Sequence, residues 1–443
     1  MTGRYDGHYY FAPGHRWGFF PAASVAWRIS EESFMQDFEN LDNLKIRFSA
    51  GQSGALAGGA FQWQTSYQLR SDSFAPGGAL NQGVGTTREG NPYITWEKAT
   101  KYDVGVDFDL FHGMLSGKVD YFFEKRNNML VNPGTTVPKE YGIALGQVNA
   151  GEMQNQGIEF ELSGQKKIGK DWGVSAGFVF TFARNKIINI FENNATRNSP
   201  TRTRTGRPLG TLFGYRALGL FQESDDKNGD GFCDELDGFE KQQLGGRPKP
   251  GDIHYFDADG NGVIDGADET RIGYSTIPEI MYGFNLGATF KGFNLDLFFQ
   301  GAAHSNAMIS GTFINYFEER HNLTKDNLDY WTPENPNAHY PRLRQNGQLA
   351  HNNQNNSFFM MNMNYLRLKS IELGYSLPAS LLNPNIIQNA KIYIAATNPF
   401  TLSHTRGLLD PEQDGGSTSG NGANRGWRQP QNKTISIGVN ITF

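Results

Sequence analysis

The feature that most constrains this chain is a period of two held over unusual lengths. Tyr102, Val104, Val106, Phe108 and Leu110 alternate with Lys101, Asp103, Gly105, Asp107 and Asp109. Val174, Ala176, Phe178, Phe180 and Phe182 alternate with Ser175, Gly177, Val179 and Thr181, and Ile435, Ile437, Val439, Ile441 and Phe443 with Ser436, Gly438, Asn440 and Thr442. Successive side chains of a strand point to opposite faces, so each run is a ribbon with one apolar and one polar side. Shorter versions occur at Leu44 to Ala50, Val119 to Phe123, Ile158 to Leu162, Tyr282 to Phe290, Leu295 to Phe299 and Leu366 to Tyr375. The last changes phase near Ser370, as a β-bulge does. Patterned segments number roughly fourteen, each read as an antiparallel strand.

Two surroundings suit such ribbons: the core of a soluble sandwich and the hydrocarbon of a bilayer. Soluble strands centre on about five or six residues, whereas a membrane-crossing strand needs about nine. The longest runs here match the second length. The links sort the same way: Phe111-His112-Gly113-Met114 and Lys291-Gly292 are tight, whereas Ala55 to Arg88, Asn128 to Asn149, Ile190 to Asp252, His304 to Phe358 and Ser403 to Gln431 are long and polar. Short turns on one side and long loops on the other are barrel behaviour. Trp96, Phe111, Phe122, Phe123, Phe298 and Phe299 lie near strand ends and are expected to form interfacial girdles, with core packing as the alternative. The tract His351-Asn352-Asn353-Gln354-Asn355-Asn356 reads as a low-complexity loop.

Composition removes other classes. With 40 Lys plus Arg against 45 Asp plus Glu, the net charge is -5, which leaves no footprint for nucleic acid phosphates. Cys233 is the one cysteine among 443 residues, so the chain can build neither an internal disulfide nor a thiolate zinc cluster. No apolar run approaches the roughly 20 residues of a membrane helix, and mean hydropathy is -0.53. Barrel strands escape that test. No HExxH or GxxxxGK[ST] motif is present, so no enzyme is expected. Glu159 and Glu161 share a strand face and read as lumen-lining.

The sharpest local motif runs from Asp257 to Asp268. Asp257, Asp259, Asn261, Asp265 and Asp268 occupy positions 1, 3, 5, 9 and 12 of an EF-hand-like loop, Gly262 the turning position 6, and Val263 offers a carbonyl at position 7. Asp268 replaces the longer Glu usual at position 12. A second loop places Asp226, Asn228, Asp230, Asp234 and Asp237 at the same positions, with Gly231 at position 6 and the Phe232 carbonyl at position 7. Structural calcium is the expected cofactor; the alternative is a pair of Asp/Gly turns. Cys233 stands where the other loop has Ile264, so it is expected to pack. Among loop aromatics, Trp331, Tyr340 and Trp427 are candidates to stack on a sugar, against ordinary packing.

Several segments carry a family likeness. Arg16-Trp17-Gly18-Phe19-Phe20-Pro21 continuing to Ala26-Trp27-Arg28-Ile29-Ser30-Glu31-Glu32, then Phe48-Ser49-Ala50-Gly51-Gln52-Ser53-Gly54, Trp96-Glu97-Lys98-Ala99-Thr100-Lys101-Tyr102, Asp120-Tyr121-Phe122-Phe123 and Gly151-Glu152-Met153-Gln154-Asn155-Gln156-Gly157-Ile158-Glu159 follow in order. Tyr365-Leu366-Arg367-Leu368-Lys369, Leu373-Gly374-Tyr375-Ser376-Leu377-Pro378, Asn398-Pro399-Phe400-Thr401 and Leu409-Asp410-Pro411-Glu412 complete the series. Together they resemble the SusC/RagA family of TonB-linked outer-membrane transporters of Bacteroidetes-type bacteria, over essentially the whole chain.

The resemblance implies an all-β fold, an antiparallel transmembrane β-barrel. Residues 1–443 would form the carboxy-terminal part of a barrel of about 22 strands, with signal peptide and plug domain belonging before it. Residues 222–270 would be an extracellular insertion holding both acidic loops. Terminal Phe443 is similar to the aromatic that closes many outer-membrane chains. The implied activity is uptake of oligosaccharides or other large nutrients across the cell outer membrane, with a SusD-like surface lipoprotein and TonB-ExbB-ExbD acting through the missing amino-terminal part. Outer-membrane lipid is the remaining partner. The alternative is a calcium-stiffened, glycan-binding β protein of the cell surface without transport, which would fold without detergent.

Overall fold

The computed structural model describes the chain except for residues 75–80, 134–138, 143, 310–313, 315–323, 345–349, 384–385, 413–422 and 425–430. Twelve strands make one antiparallel sheet: β1 (Thr2–Gly7), β2 (Trp17–Arg28), β3 (Leu41–Ala55), β4 (Glu97–Leu110), β5 (Leu115–Val131), β6 (Val148–Ile168), β7 (Trp172–Asn189), β8 (Ile280–Phe290), β9 (Phe293–Ala303), β10 (Tyr365–Ser376), β11 (Asn389–Ser403) and β12 (Thr434–Thr442). Their order in the sheet is their order in the chain, an up-and-down meander. By contacts the chain divides into two units, Met1–Leu162 with Phe182–Ser199 and Thr203–Leu209, and Ser163–Thr181 with Pro200–Arg202 and Gly210–Phe443.

All nine alternating runs of the sequence lie on these strands. The count is lower than the roughly fourteen expected, because patterned pieces outside the sheet pair among themselves. The segment expected as an irregular loop from Ala55 to Arg88 contains a hairpin of Ser66–Phe74 against Asn81–Arg88.

Register shows what the alternation achieves. In the first unit Arg47 of β3 lies between Asp107 of β4 and Asp120 of β5, donating to each at 2.8 Å. Lys45 reaches Asp107 at 3.0 Å, and Asn43 donates to Asp109 at 3.1 Å. The intervening residues Ile46 and Phe48 pair with Val106 and Val104, which pair in turn with Val119 and Tyr121. One side of these strands is an ionic ladder; the other is a broad apolar surface on which Ile46, Phe48, Val104, Val119 and Tyr121 remain exposed. In the second unit Leu286, Leu297, Ile371, Ala396 and Ile435 form one cross-strand row, and Leu373, Ile394 and Ile437 another. Ile437 is 78% exposed. Soluble proteins cover such contiguous surfaces; here no second sheet does so among the described residues.

The phase change expected near Ser370 is a bulge at Lys369: the adjacent Phe299 and Phe298 of β9 pair with Leu368 and Ser370. Lys291 and Gly292 both have positive φ, the requirement of the tight turn joining β8 to β9.

The aromatic girdle is partly corrected by the same geometry. Adjacent residues must face opposite ways, so Phe122 and Phe298 lie on the polar side while Phe123 and Phe299 join the apolar side. Trp96, just ahead of β4, is buried against Phe20 and Phe11. Tyr5 and Trp17 are outward aromatics instead, stacked at 5.0 Å.

Candidate functional site

The long links of the second unit do not remain separate loops. Residues from 210–279, 304–364 and 404–412 share one apolar core containing Leu212, Tyr255, Ile264, Met308, Tyr340 and Leu409. The asparagine-rich tract, read as a low-complexity loop, is partly inside this body. Asn352 donates to Asp252 at 3.0 Å and accepts from the Ile253 backbone at 3.0 Å. Asn356 donates to the Tyr255 hydroxyl at 3.0 Å, while that hydroxyl donates to the His351 carbonyl at 2.8 Å. Arg342 and Arg344 pair with the fully buried Asp252 at 3.4 and 3.1 Å. Amides can satisfy several buried backbone groups at once, so this tract supplies polar mortar rather than flexible linker.

Both acidic loops belong to this body, and they are built to one hydrogen-bond plan. In residues 257–268, Asp257 accepts from the Gly260 and Gly262 amides at 2.7 Å each, Asp259 from Asn261 at 3.1 Å and Asn261 from Val263 at 2.7 Å. Asp268 accepts from Ala258 at 2.7 Å and from Asp265 at 2.8 Å, and Asp265 accepts from Ala267 at 2.6 Å. In residues 226–237, Asp226 accepts from Gly229 and Gly231 at 2.8 Å each, Asn228 from Asp230 at 2.8 Å and Asp230 from Phe232 at 3.0 Å. Asp237 accepts from Lys227 at 2.7 Å and from Asp234 at 3.3 Å, and Asp234 from Leu236 at 3.0 Å. Each of these bonds joins the same two positions in both loops. Position 8 is a fully buried apolar side chain in each, Ile264 and Cys233. Burial first, then nearby carboxylates, pushes the Cys233 thiol up to about 12, so it stays an inert packing group.

Charge distinguishes the loops. In 257–268, oxygens of Asp257, Asp259 and Asp268 lie within 4.8 Å of one another. Ligands sharing one calcium at about 2.4 Å are at most about 5 Å apart, so this donor set fits a hard cation. Burial raises the Asp268 carboxyl above the usual range, and the charge of Asp259 adds to that. For Asp257 burial is outweighed by the Gly262 and Gly260 amides, and its carboxyl is lowered. In 226–237 the cation is already part of the protein. Arg247 donates to Asp230 at 3.1 Å and, at closer range, to Asp234, with its guanidinium 3.9 Å from the Phe232 ring centre. The Arg247 hydrogen bond holds the Asp234 carboxyl below its usual range.

The proposed sugar-stacking rings fare differently. Tyr340 is fully buried, its hydroxyl donating to Asp326 at 2.9 Å, and Trp331 is nearly so, donating from Nε1 to Gln222 at 3.1 Å. Both rings are occupied by packing, which corrects the expectation that they meet a ligand. Trp427 lies outside the described residues.

The family model described as TonB dependent receptor-like, beta-barrel matches residues 1–303. The chain belongs to that family. It is 28% identical over 458 residues to TonB-dependent receptor P26 of Formosa agariphila, matching all of this chain and 44% of that receptor. Against TonB-dependent receptor SusC of Bacteroides thetaiotaomicron it is 25% identical over 456 residues, all of this chain and 42% of SusC. The chain therefore spans less than half the length of these curated relatives. Among solved structures, the RagAB peptide transporter superposes with a TM-score of 0.73 at 25% identity, covering 98% of this chain and 44% of its own. The chain is thus a SusC/RagA-like, outer-membrane β-barrel protein.

Three motifs of the TonB-dependent receptor likeness meet in space. Arg367 of β10 donates to Thr401 of β11 at 2.9 Å and to Asp410 at 2.8 Å, and pairs with Glu412 at 3.2 Å. Lys369, two residues along, pairs with the same Glu412 at 2.9 Å. Burial works against the Asp410 charge, but the Glu412 and Gln431 amides and Arg367 outweigh it and lower its pKa. The sequence alone does not join the three motifs, since no local spacing connects Arg367 to Asp410.

Proposed function

We propose that this chain supplies wall and extracellular loops to a TonB-dependent outer-membrane importer of large nutrients. Oligosaccharides are the cargo class, and a SusD-like lipoprotein captures them over the loops. Energy would come through TonB-ExbB-ExbD and the plug domain of the whole receptor. The observation that carries the reading is the two-sided sheet: an uncovered apolar face beside a face of paired charges. Hydrocarbon tolerates only the first, and a hydrated passage needs the second. In this reading the 257–268 loop holds a structural calcium through Asp257, Asp259, Asn261, the Val263 carbonyl, Asp265 and Asp268. In 226–237, calcium would have to displace Arg247.

The test uses the full-length receptor in its host. Deleting its gene should abolish growth on at least one oligosaccharide that the parent uses, and restoring the gene should recover it. Unchanged growth on every oligosaccharide, with lost growth on peptides, would move the cargo to the class named for RagAB. At the wall, Val104→Arg should cost about 2–4 kcal/mol of stability in lipid. Monodisperse folding without detergent would remove the membrane reading altogether.

A further inference from the structure

The link between β1 and β2 carries an aromatic group that nothing in the wall requires. The His8 ring stacks on Tyr9 at 4.6 Å and meets the edge of Tyr10 at 4.4 Å, and Tyr9 and Tyr10 lie 5.0 Å apart, nearly perpendicular. Phe61 joins from another link, 5.8 Å from Tyr9 and 6.4 Å from Tyr10. Beneath them a buried core of Phe11, Phe20, Ile94 and Trp96 fixes the base, with His8 6.4 Å from Trp96. Phe20 lies on the strand side of Ala26, the register partner of Arg47, so the group rises above the polar face. The outward Tyr5 and Trp17 pair is on the opposite side.

Tyr9 and Phe61 remain 57% and 44% exposed. Leaving two such rings open to water on the polar side is unfavourable unless something covers them. Phe61 also has a φ of 55°, a left-handed conformation that bulky side chains avoid and that clusters at binding sites. Among the described residues no lysine or arginine stands over these rings, and the hydroxyls of Tyr9 and Tyr10 have no protein partner. Open ring faces, hydroxyls along the edge and no clustered charge suit an uncharged, hydroxyl-rich ring with an apolar C–H face.

We infer that Tyr9, Tyr10 and Phe61, braced by His8 and Trp96, form a stacking subsite for a neutral sugar ring at the outer end of the polar face. This rests on the oligosaccharide reading above and gives that cargo a contact.

The experiment takes full-length receptor in detergent and measures binding of fluorescently labelled neutral hexasaccharides of α-glucan, β-glucan, mannan and xylan, with labelled casein peptides alongside. At least one hexasaccharide should bind saturably, and the double variant Tyr9→Ala/Phe61→Ala should weaken it about tenfold. Tyr9→Phe keeps the ring and should weaken binding less than the double variant, whereas Tyr5→Ala, outside the subsite on the outward face, should stay close to wild type. Hexasaccharide affinity unchanged in the double variant, with binding otherwise intact, overturns the subsite and leaves the cargo reading standing. Binding of peptides and of no hexasaccharide removes the cargo reading, and the subsite as a sugar site falls with it.

Discussion

The 226–237 and 257–268 loops share one backbone plan and differ in the positive charge beside it. Each closes a twelve-residue turn through the same side-chain-to-amide bonds, with glycine at position 6 in the left-handed region and position 8 buried. Each thereby gathers carboxylates whose repulsion must be offset. In the first loop Arg247 does so from within the chain, steadied on Phe232. In the second, Asp257, Asp259 and Asp268 converge on a space fit for a divalent ion. Backbone bonding therefore defines the shape of such a loop, and we propose that the source of positive charge decides whether it depends on metal.

The comparison breaks most directly on metal removal. In full-length receptor, calcium at a hundred times its dissociation constant should stabilise the outer body by about 2.7 kcal/mol, read as a rise in melting temperature. Chelation should reverse it, and Asp257→Ala should abolish the response. No response in wild type would reduce both loops to self-bonded turns. Next in size, Gly231→Ala and Gly262→Ala should each cost about 1–2 kcal/mol. Neither added methyl meets any atom, so equal losses would establish that the backbones are equivalent, and unequal losses would deny it.

Acid should act on the segment joining the loops. Burial lowers the His351 pKa, with Nε2 at 2.6 Å from the Ile253 carbonyl. The unfolded chain takes up a proton near pH 6.5 while the folded imidazole resists. Stability is therefore complete above about pH 6.5 and declines as pH falls, by at most about 1.4 kcal/mol per pH unit. His351→Gln should flatten that slope in thermal melts between pH 7 and 5. The smallest change in stability belongs to the half-exposed Arg247. Arg247→Gln frees Asp230 and Asp234, so bound calcium measured by equilibrium dialysis should rise from one ion per chain towards two. A constant stoichiometry would mean that the guanidinium is not what separates the loops.

Much of the wall was legible because a strand declares its two faces through local alternation. Leu44 to Ala50, Tyr102 to Leu110 and Ile435 to Ile441 each read correctly, and the bulge at Lys369 announced itself as a slip in phase. β11 was harder, since Asn398-Pro399 interrupts its pattern opposite that bulge. The hydrogen-bond plan of the acidic loops was legible for a similar reason: their carboxylates and turns lie within twelve residues. Arg247 was invisible, because nothing in its own neighbourhood says that it folds back onto Asp230 and Asp234.

Local spacing by itself therefore determined the antiparallel ribbons, their apolar sides and the two loop plans, all of which depend on neighbours a few bonds apart. Only the tertiary structure decided which aromatic rings are spent on packing, as Trp331 and Tyr340 are, and which stand open, as Tyr9 and Phe61 do. It alone turned His351 to Asn356 from an apparent linker into buried mortar and joined Arg367 to Asp410. Burial and charge pairing arise between segments far apart in the chain, and no period along the sequence records them.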